Sequence, residues 1–316
     1  MELSVNHNCL RNKGNQLYMC VRVFINTHSG GVRAVGAEKI SSLIFHELKS
    51  ANFECEITTG GPPECSDFFE IAKNAEDTTM VIVAGGDGTI AFAAKELAHT
   101  GIPVALLPGG TMNLIAHDLR IGGDIEQAIK LLTDWRPRHI DIGMVNDRAF
   151  LNNIVFGDYA DIAESREALR DAQTLEERLG AISDAAQTLM HSQPKSFELM
   201  IDGKTVPVDS NVLMIANNPY TNAIDMRPRR KRIDKGKLAI YIADSKDGVD
   251  LVARIIEVLR GEIESAGTIE CIETTECVVR ATQSPTLVAI DGEPMEFDSP
   301  VKVRILPRAL SVLCPD

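Results

Sequence analysis

Gly85-Gly86-Asp87-Gly88-Thr89 follows directly on an apolar run, Val81-Ile82-Val83-Ala84. Glycines placed where a strand turns into a helix let successive backbone amides converge on an anion, with the positive end of the helix dipole behind them. Only glycine lets a phosphate come that close to the main chain. Asp87 and Thr89 add a carboxylate and a hydroxyl. By itself the pentapeptide reads equally well as a tight turn with Asp87 capping the helix. A second glycine run, Pro108-Gly109-Gly110-Thr111-Met112-Asn113, closes the next apolar segment. Ligands of open α/β sheets bind at the carboxyl edge of the strands, so two neighbouring strands opening into glycine loops mark a pocket there.

Phosphate chemistry also needs charge neutralisation and a group that orients the attacking hydroxyl, and carboxylates serve both ends. Asp87 is one such group. Asp291 and Glu293, in Ile290-Asp291-Gly292-Glu293, are two more. That tetrapeptide is equally a hairpin turn, and Ile201-Asp202-Gly203-Lys204 nearly repeats it, so residue chemistry alone does not choose between them. A basic cluster, Arg227, Arg229, Arg230, Lys231 and Arg232, lies in a segment that Pro228 and Gly236 mark as a loop. It reads either as a phosphate or anionic head-group contact, worth about 1 kcal/mol per charge near a membrane surface, or as a solvated surface loop.

These groups sit in a chain of 316 residues, 44% hydrophobic, which suffices for two domains with a sizeable core. The formal charge of -13 excludes nucleic acid as a partner and makes any attraction to an anionic membrane a local affair. Seven cysteines, odd in number and without a CxxC pair, fit reduced thiols better than a disulfide framework or a zinc site. No apolar run reaches the roughly 18 residues of a membrane span, and residues 1–16 lack the apolar centre of a signal peptide and read as a frayed extension. The expected location is cytoplasmic, with contact at the inner membrane face.

Which elements would hold the site follows from the apolar patterning. Strands are predicted over residues 17–25, 54–58, 80–84 and 103–107, and helices over 38–51, 63–75 and 90–99, with a turn-forming loop at 26–31. A further helix starts at Asp124, with Gln127 completing a capping box, and ends near Trp135. That alternation argues for a parallel sheet covered by helices. Past His139 the pattern becomes antiparallel: 140–145 and 148–156 flank Asn146-Asp147, and 197–201 and 205–208 flank Asp202-Gly203. Further strands run through Val278, Leu287 and residues 301–312, and two helical stretches, 161–191 and 248–260, interrupt them. The predicted domains are 17–138, completed by 301–316, and 139–300.

The motifs Gly85-Gly86-Asp87-Gly88-Thr89, Gly110-Thr111-Met112-Asn113 and Ile290-Asp291-Gly292-Glu293 together resemble the diacylglycerol kinase catalytic domain family, which includes bacterial lipid kinases and sphingosine kinases. The first motif alone is also found in NAD kinases. Asn26 to Gly30 resembles the family's Asn-Pro-x-Ser-Gly loop, with Thr27 in place of proline. The resemblance implies an N-terminal three-layer α/β domain like that of NAD kinase and phosphofructokinase, followed by a C-terminal β-sandwich. It implies ATP and Mg2+, with Asn26, Ser29, Gly30, Thr59, Gly85, Gly86, Asp87, Gly88, Thr89, Gly110, Thr111 and Asn113 around the nucleotide. Asp291 becomes the acceptor-activating carboxylate and Glu293 a contact to nucleotide or metal, roles that are interchangeable at this stage. Asp161, which reads on its own as a helix cap, resembles the aspartate that grips a lipid head in sphingosine kinases; Arg178, in Arg178-Leu179-Gly180, joins it as an acceptor contact. Asp234-Lys235-Gly236 resembles an Asp-Asp-Gly motif tied to a structural magnesium, but Lys235 stands at the second aspartate and no metal is predicted there.

The function so implied is an ATP-dependent lipid kinase acting on a diacylglycerol-like or sphingoid-like hydroxyl. Alternatives are an NAD kinase and a nucleotide-binding regulator without turnover; Asp87, Asp291 and Glu293 argue against the last. Antiparallel edges in the second domain would allow a homodimer.

Overall fold

The computed structural model describes residues 20–110, 113–157, 194–210, 212–220, 230, 232–243, 269–282 and 284–315. Two compact units divide the chain: one runs to Ile140 and resumes at Arg308, the other is Asp141–Pro307.

In the first unit the elements alternate as β1 (Cys20–Asn26), α1 (Gly30–Val35), α2 (Ala37–Ser50), β2 (Glu54–Gly60), α3 (Pro62–Asn74), β3 (Thr78–Gly85), α4 (Asp87–Glu96), β4 (Val104–Pro108), α5 (Leu114–Asp118) and α6 (Ile125–Leu131). The strands pair parallel in the order β2-β1-β3-β4. Helices cover both faces, which is why the inner strands are apolar almost throughout. On one face Val21, Val23, Ile25, Ile82 and Leu107 pack with Ile40, Ile44 and Leu48 of α2 and with Ile125 and Ile129 of α6. On the other, Phe24 meets Phe68 and Phe69 of α3, and Phe69 meets Phe92 of α4. Three layers result.

The boundaries depart from the sequence reading in informative places. Gly30 opens a helix where a loop is expected, because Val32 is buried and its amide donates to Gly109 O at 3.2 Å. Helix α4 starts at Asp87 and not near Ile90, immediately after the glycine turn. Asp124 accepts from the amides of Glu126 and Gln127, but α6 ends at Leu131 and a 3-10 turn, Leu132–Asp134, carries the chain to Trp135.

Antiparallel strands make up the second unit: β5 (Arg136–Val145), which leads into it, β6 (Arg148–Phe150), β7 (Asn153–Gly157), β8 (Lys195–Ile201), β9 (Lys204–Ser210), β10 (Val212–Asn217), β11 (Leu238–Ala243), β12 (Ile269–Thr274), β13 (Glu276–Ala281), β14 (Thr286–Ile290), β15 (Glu293–Phe297) and β16 (Val301–Cys314). One sheet has the order β12-β11-β10-β7-β14-β15. The other joins β9, β8, β13 and the first half of β16, with the β5–β6 pair. Their inner faces share a core in which Phe156 of one sheet contacts Phe197 of the other at 6.1 Å between ring centres. This is a β-sandwich. Strand β16 pairs with β13 through Glu276 and Arg304, and its last residues, Val312 and Leu313, lie parallel beside Val104 and Ala105 of β4.

Residues 148–156 do not form the single strand expected of them. β6 stops at Phe150, β7 begins at Asn153, and the two belong to different sheets. The ring of Phe150 lies so close over Gly143 that an added Cβ there would sit 2.3 Å from its Cζ. That seating turns the chain, and the amides of Leu151 and Asn152 leave the ladder. Strands β10, β11 and β12 have no counterpart in the sequence reading; short apolar runs do not separate strand from helix by periodicity.

Candidate active site

At the ends of β1, β3 and β4 three glycine-bearing loops press backbone against backbone. An added Cβ on Gly110 would lie 2.6 Å from Gly86 Cα; on Gly109, 2.9 Å from Gly85 N; on Gly31, 2.7 Å from Gly109 O. At Gly31, Gly109 and Gly110 a side chain has no room without a shift of the facing backbone. Polar side chains lock the loops together. Asn26 Nδ2 donates to Thr89 Oγ1 at 2.7 Å, and Ser29 Oγ accepts from the Gly86 amide at 3.0 Å. Asn113 stands in the left-handed region at φ 49°. Its Oδ1 accepts from Gly110 N and its Nδ2 donates to Gly110 O, so the second loop is closed by its own last residue. Asp87 accepts from Asn113 N at 3.1 Å and from Leu114 N at 2.9 Å, capping α5. Gly30 and Gly88 are exposed beside this patch, and Thr59 is exposed near the end of β2.

The second unit holds the acidic turn. Asp291 has φ 46° and Gly292 φ 94°, the paired left-handed conformation that an Asp-Gly hairpin requires. Its Oδ2 accepts from Leu151 N at 2.8 Å, and its Oδ1 from Asn152 N at 2.8 Å and Asn153 N at 3.0 Å. These are the amides released where β6 gives way to β7. Although the residue keeps partial exposure, desolvation of its carboxyl end pushes the pKa up from 3.8 to about 6, against the downward pull of the three amides and of Arg230. Around this seat Tyr220 OH donates to Asn152 Oδ1 at 2.6 Å and accepts from Asn153 Nδ2 at 2.9 Å, and Tyr241 OH accepts from Tyr220 N.

A family model described as "Diacylglycerol kinase catalytic domain" matches residues 20–145, and one described as "YegS C-terminal NAD kinase beta sandwich-like domain" matches 160–314, so that the two take in most of the chain. The chain belongs to the diacylglycerol kinase catalytic domain family. Among its relatives is an "Uncharacterized protein" of Synechocystis, 25% identical over 77% of this chain and 56% of that one, so this chain spans little more than half of that relative's length. A "Putative lipid kinase" of Staphylococcus haemolyticus is 24% identical over 78% of this chain and 80% of its own. A solved diacylglycerol kinase from Bacillus anthracis strain Sterne shares the fold, with a TM-score of 0.70 at 20% identity over 94% of this chain and 97% of that one.

Against that family pattern, Asn26, Ser29, Gly30, Gly85, Gly86, Asp87, Gly88, Thr89, Gly110 and Asn113 gather on the first unit's loops, with Thr59 on the neighbouring strand. Asp291 is seated in the second unit, and Glu293 is exposed at the start of β15. Thr111, Asp161, Arg178, Arg227, Arg229 and Lys231 lie outside the described residues, as do both helical stretches expected at 161–191 and 248–260. One assignment is corrected. Arg230, expected with its neighbours as a membrane-surface contact, is 5% exposed and donates to backbone carbonyls. Arg232 does reach the surface, beside Asp234, while Lys235 pairs with Glu273. Sequence reasoning missed Tyr220, Asn152 and Asn153; the Asn152-Asn153 pair at a hairpin's far side was the available signal.

The described residues form no dedicated cage for a magnesium ion; one that arrives with a nucleotide needs only one or two carboxylates beside the phosphates. No three His, Cys, Asp or Glu side chains among them gather to hold a metal, and Asp87 and Asp291 give both carboxylate oxygens to amides. Nor is any helix among the described residues long and apolar enough to cross a membrane.

Proposed function

We propose that the chain is an ATP-dependent lipid kinase, transferring the γ-phosphoryl group of ATP to a hydroxyl of a diacylglycerol-like or sphingoid-like lipid. The observation that carries this reading is the backbone-on-backbone packing of the loops at Gly31, Gly85–Gly86 and Gly109–Gly110. That packing sets the first turn of α4, which begins at Asp87, at the end of β3, where its helix-end amides and dipole face a triphosphate. Asn26, Ser29, Gly30, Thr59, Gly88, Thr89, Thr111 and Asn113 contact the nucleotide in this reading. Asp87 acts by holding the start of α5, and through it the Gly110–Asn113 loop, in place.

Asp291 is the base. It accepts the proton of the acceptor hydroxyl as that oxygen bonds to the γ-phosphorus and the bond from phosphorus to the ADP oxygen breaks. A pKa of about 6 leaves the carboxyl mostly ionised at neutral pH and more basic than an ordinary aspartate, which is what general-base work needs. Glu293 contacts the nucleotide, and Asp161 and Arg178 the acceptor. Anionic head groups are met by Arg227, Arg229, Lys231 and Arg232, which would bring the enzyme to the inner membrane face.

The test is to incubate the full chain with γ-labelled ATP and a panel of lipids and to count the organic extract. Label is expected there. Gly110→Ala, whose new Cβ would lie 2.6 Å from Gly86 Cα, should weaken ATP binding by at least about tenfold. Label in aqueous NADP would instead make the protein an NAD kinase, and ATP binding with no labelled product would leave it a nucleotide-binding regulator.

A further inference from the structure

Arg230 belongs by sequence to a surface run of basic residues, yet it is 5% exposed. Its Nη1 donates to Leu151 O at 2.5 Å and to Asn217 O at 2.7 Å. Leu151 is the residue whose amide meets Asp291 Oδ2. Asn217 ends β10 and braces the same stretch, with its amide donating to Asn152 O and its Nδ2 to Leu151 O. One guanidinium thus ties the strand crossing at 151–152 to the end of β10. Its charge also helps to lower the Asp291 pKa, after the three amides, against the upward push of desolvation. Of the other charged groups nearby, Glu293 on β15 is exposed and Asp141 on β5 accepts from the Gly236 amide. Two carbonyls do not by themselves call for a cation, because a neutral amide donates equally well. Burying a charge is unfavourable unless polar groups answer it, and here it is held against the backbone that seats Asp291.

We propose that Arg230 is a positioning residue for Asp291, fixing the backbone seat of its carboxylate and lending that seat a buried positive charge. The inference rests on the reading of Asp291 as the base, and deepens it.

Titration of the full chain labelled with 13C at aspartate carboxyls tests it, with the Asp291 resonance assigned by its loss in Asp291→Asn, alongside the pH profile of turnover. Arg230→Gln keeps hydrogen-bonding capacity and removes the charge. The Asp291 midpoint should rise by about one pH unit, and the acid limb of kcat/KM should move with it. Arg230→Lys keeps the charge on a shorter side chain, whose ammonium must draw back from the position of Nη1 and loosen the two-carbonyl bridge, so the midpoint should stay near that of the wild type while kcat falls about tenfold. An unmoved midpoint in folded Arg230→Gln, or wild-type kcat in Arg230→Lys, overturns the proposal; if Arg230→Gln does not fold, Arg230→Lys decides. Failure of the base assignment looks different. Asp291→Asn would then keep its turnover while the carboxyl titration still followed residue 230.

Discussion

Ile201-Asp202-Gly203 and Ile290-Asp291-Gly292 are the same tripeptide in the same backbone conformation, with φ of 50° and 75° in the first turn and 46° and 94° in the second. Each closes an antiparallel hairpin, Ile201 opposite Lys204 and Ile290 opposite Glu293. Asp202 is exposed at its tip. Asp291 instead sits on three amides contributed by residues 138 to 140 positions away in the chain. The contrast teaches that turn chemistry sets the backbone, while the use of the carboxyl is set by what lies beneath it. Beneath Asp291 lies a strand that changes sheets and frees its amides.

The largest expected difference is in turnover. Asp291→Asn should lower phosphoryl transfer by at least about 100-fold, the scale of a lost general base, whereas Asp202→Asn should stay within about twofold, as exposed substitutions do. Equal losses in the two variants would erase the functional distinction between the turns.

Next comes pH dependence. Asp291 has a midpoint near 6 in the folded chain against 3.8 when unperturbed. Between those values the folded state holds more protons than the unfolded state. This group's contribution to stability is therefore greatest below that window, falls as pH rises through it and is flat above about 6, with a slope of at most about 1.4 kcal/mol per pH unit. Urea unfolding at stepped pH should show this component in wild type and in Asp202→Asn, and lose it in Asp291→Asn. The same slope in all three proteins would mean that the Asp291 carboxyl is solvated like an ordinary one.

A smaller effect is expected from the bracing of the seat. Tyr220→Phe strips Asn152 Oδ1 of a donor and Asn153 Nδ2 of an acceptor, and should cost about 1–2 kcal/mol in chemical denaturation. Unchanged stability would remove Tyr220 from the support of the seat. Smallest is Gly203→Ala. An added Cβ there meets nothing within 4 Å, so only the left-handed backbone at φ 75° resists it. About 1 kcal/mol of stability should go, with turnover intact; a drop in turnover would show that the exposed turn also serves catalysis.

Much of the first unit was legible because its signals are local. Val81 to Ala84 is a buried run, Gly85-Gly86 a turn, and Ile40, Ile44 and Leu48 lie on one helical face. The glycine loops were legible for the same reason, since close backbone approach leaves glycine as the residue that fits. What escaped was set by distant packing. Residues 148–156 look like one strand until Phe150 is seated over Gly143. Arg230 looks like its solvated neighbours until the carbonyls of Leu151 and Asn217 claim it.

The sequence by itself determined that strands and helices alternate ahead of a run of hairpins, that two glycine turns on neighbouring strands can bring backbones together, and that both Asp-Gly pairs must turn. Each of these follows from steric limits on residues adjacent in the chain. Only the tertiary structure decided which of two like turns seats its carboxylate on distant amides and which of several arginines goes inside. Those outcomes depend on amides, carbonyls and desolvation supplied from far along the chain, and no short-range pattern encodes them.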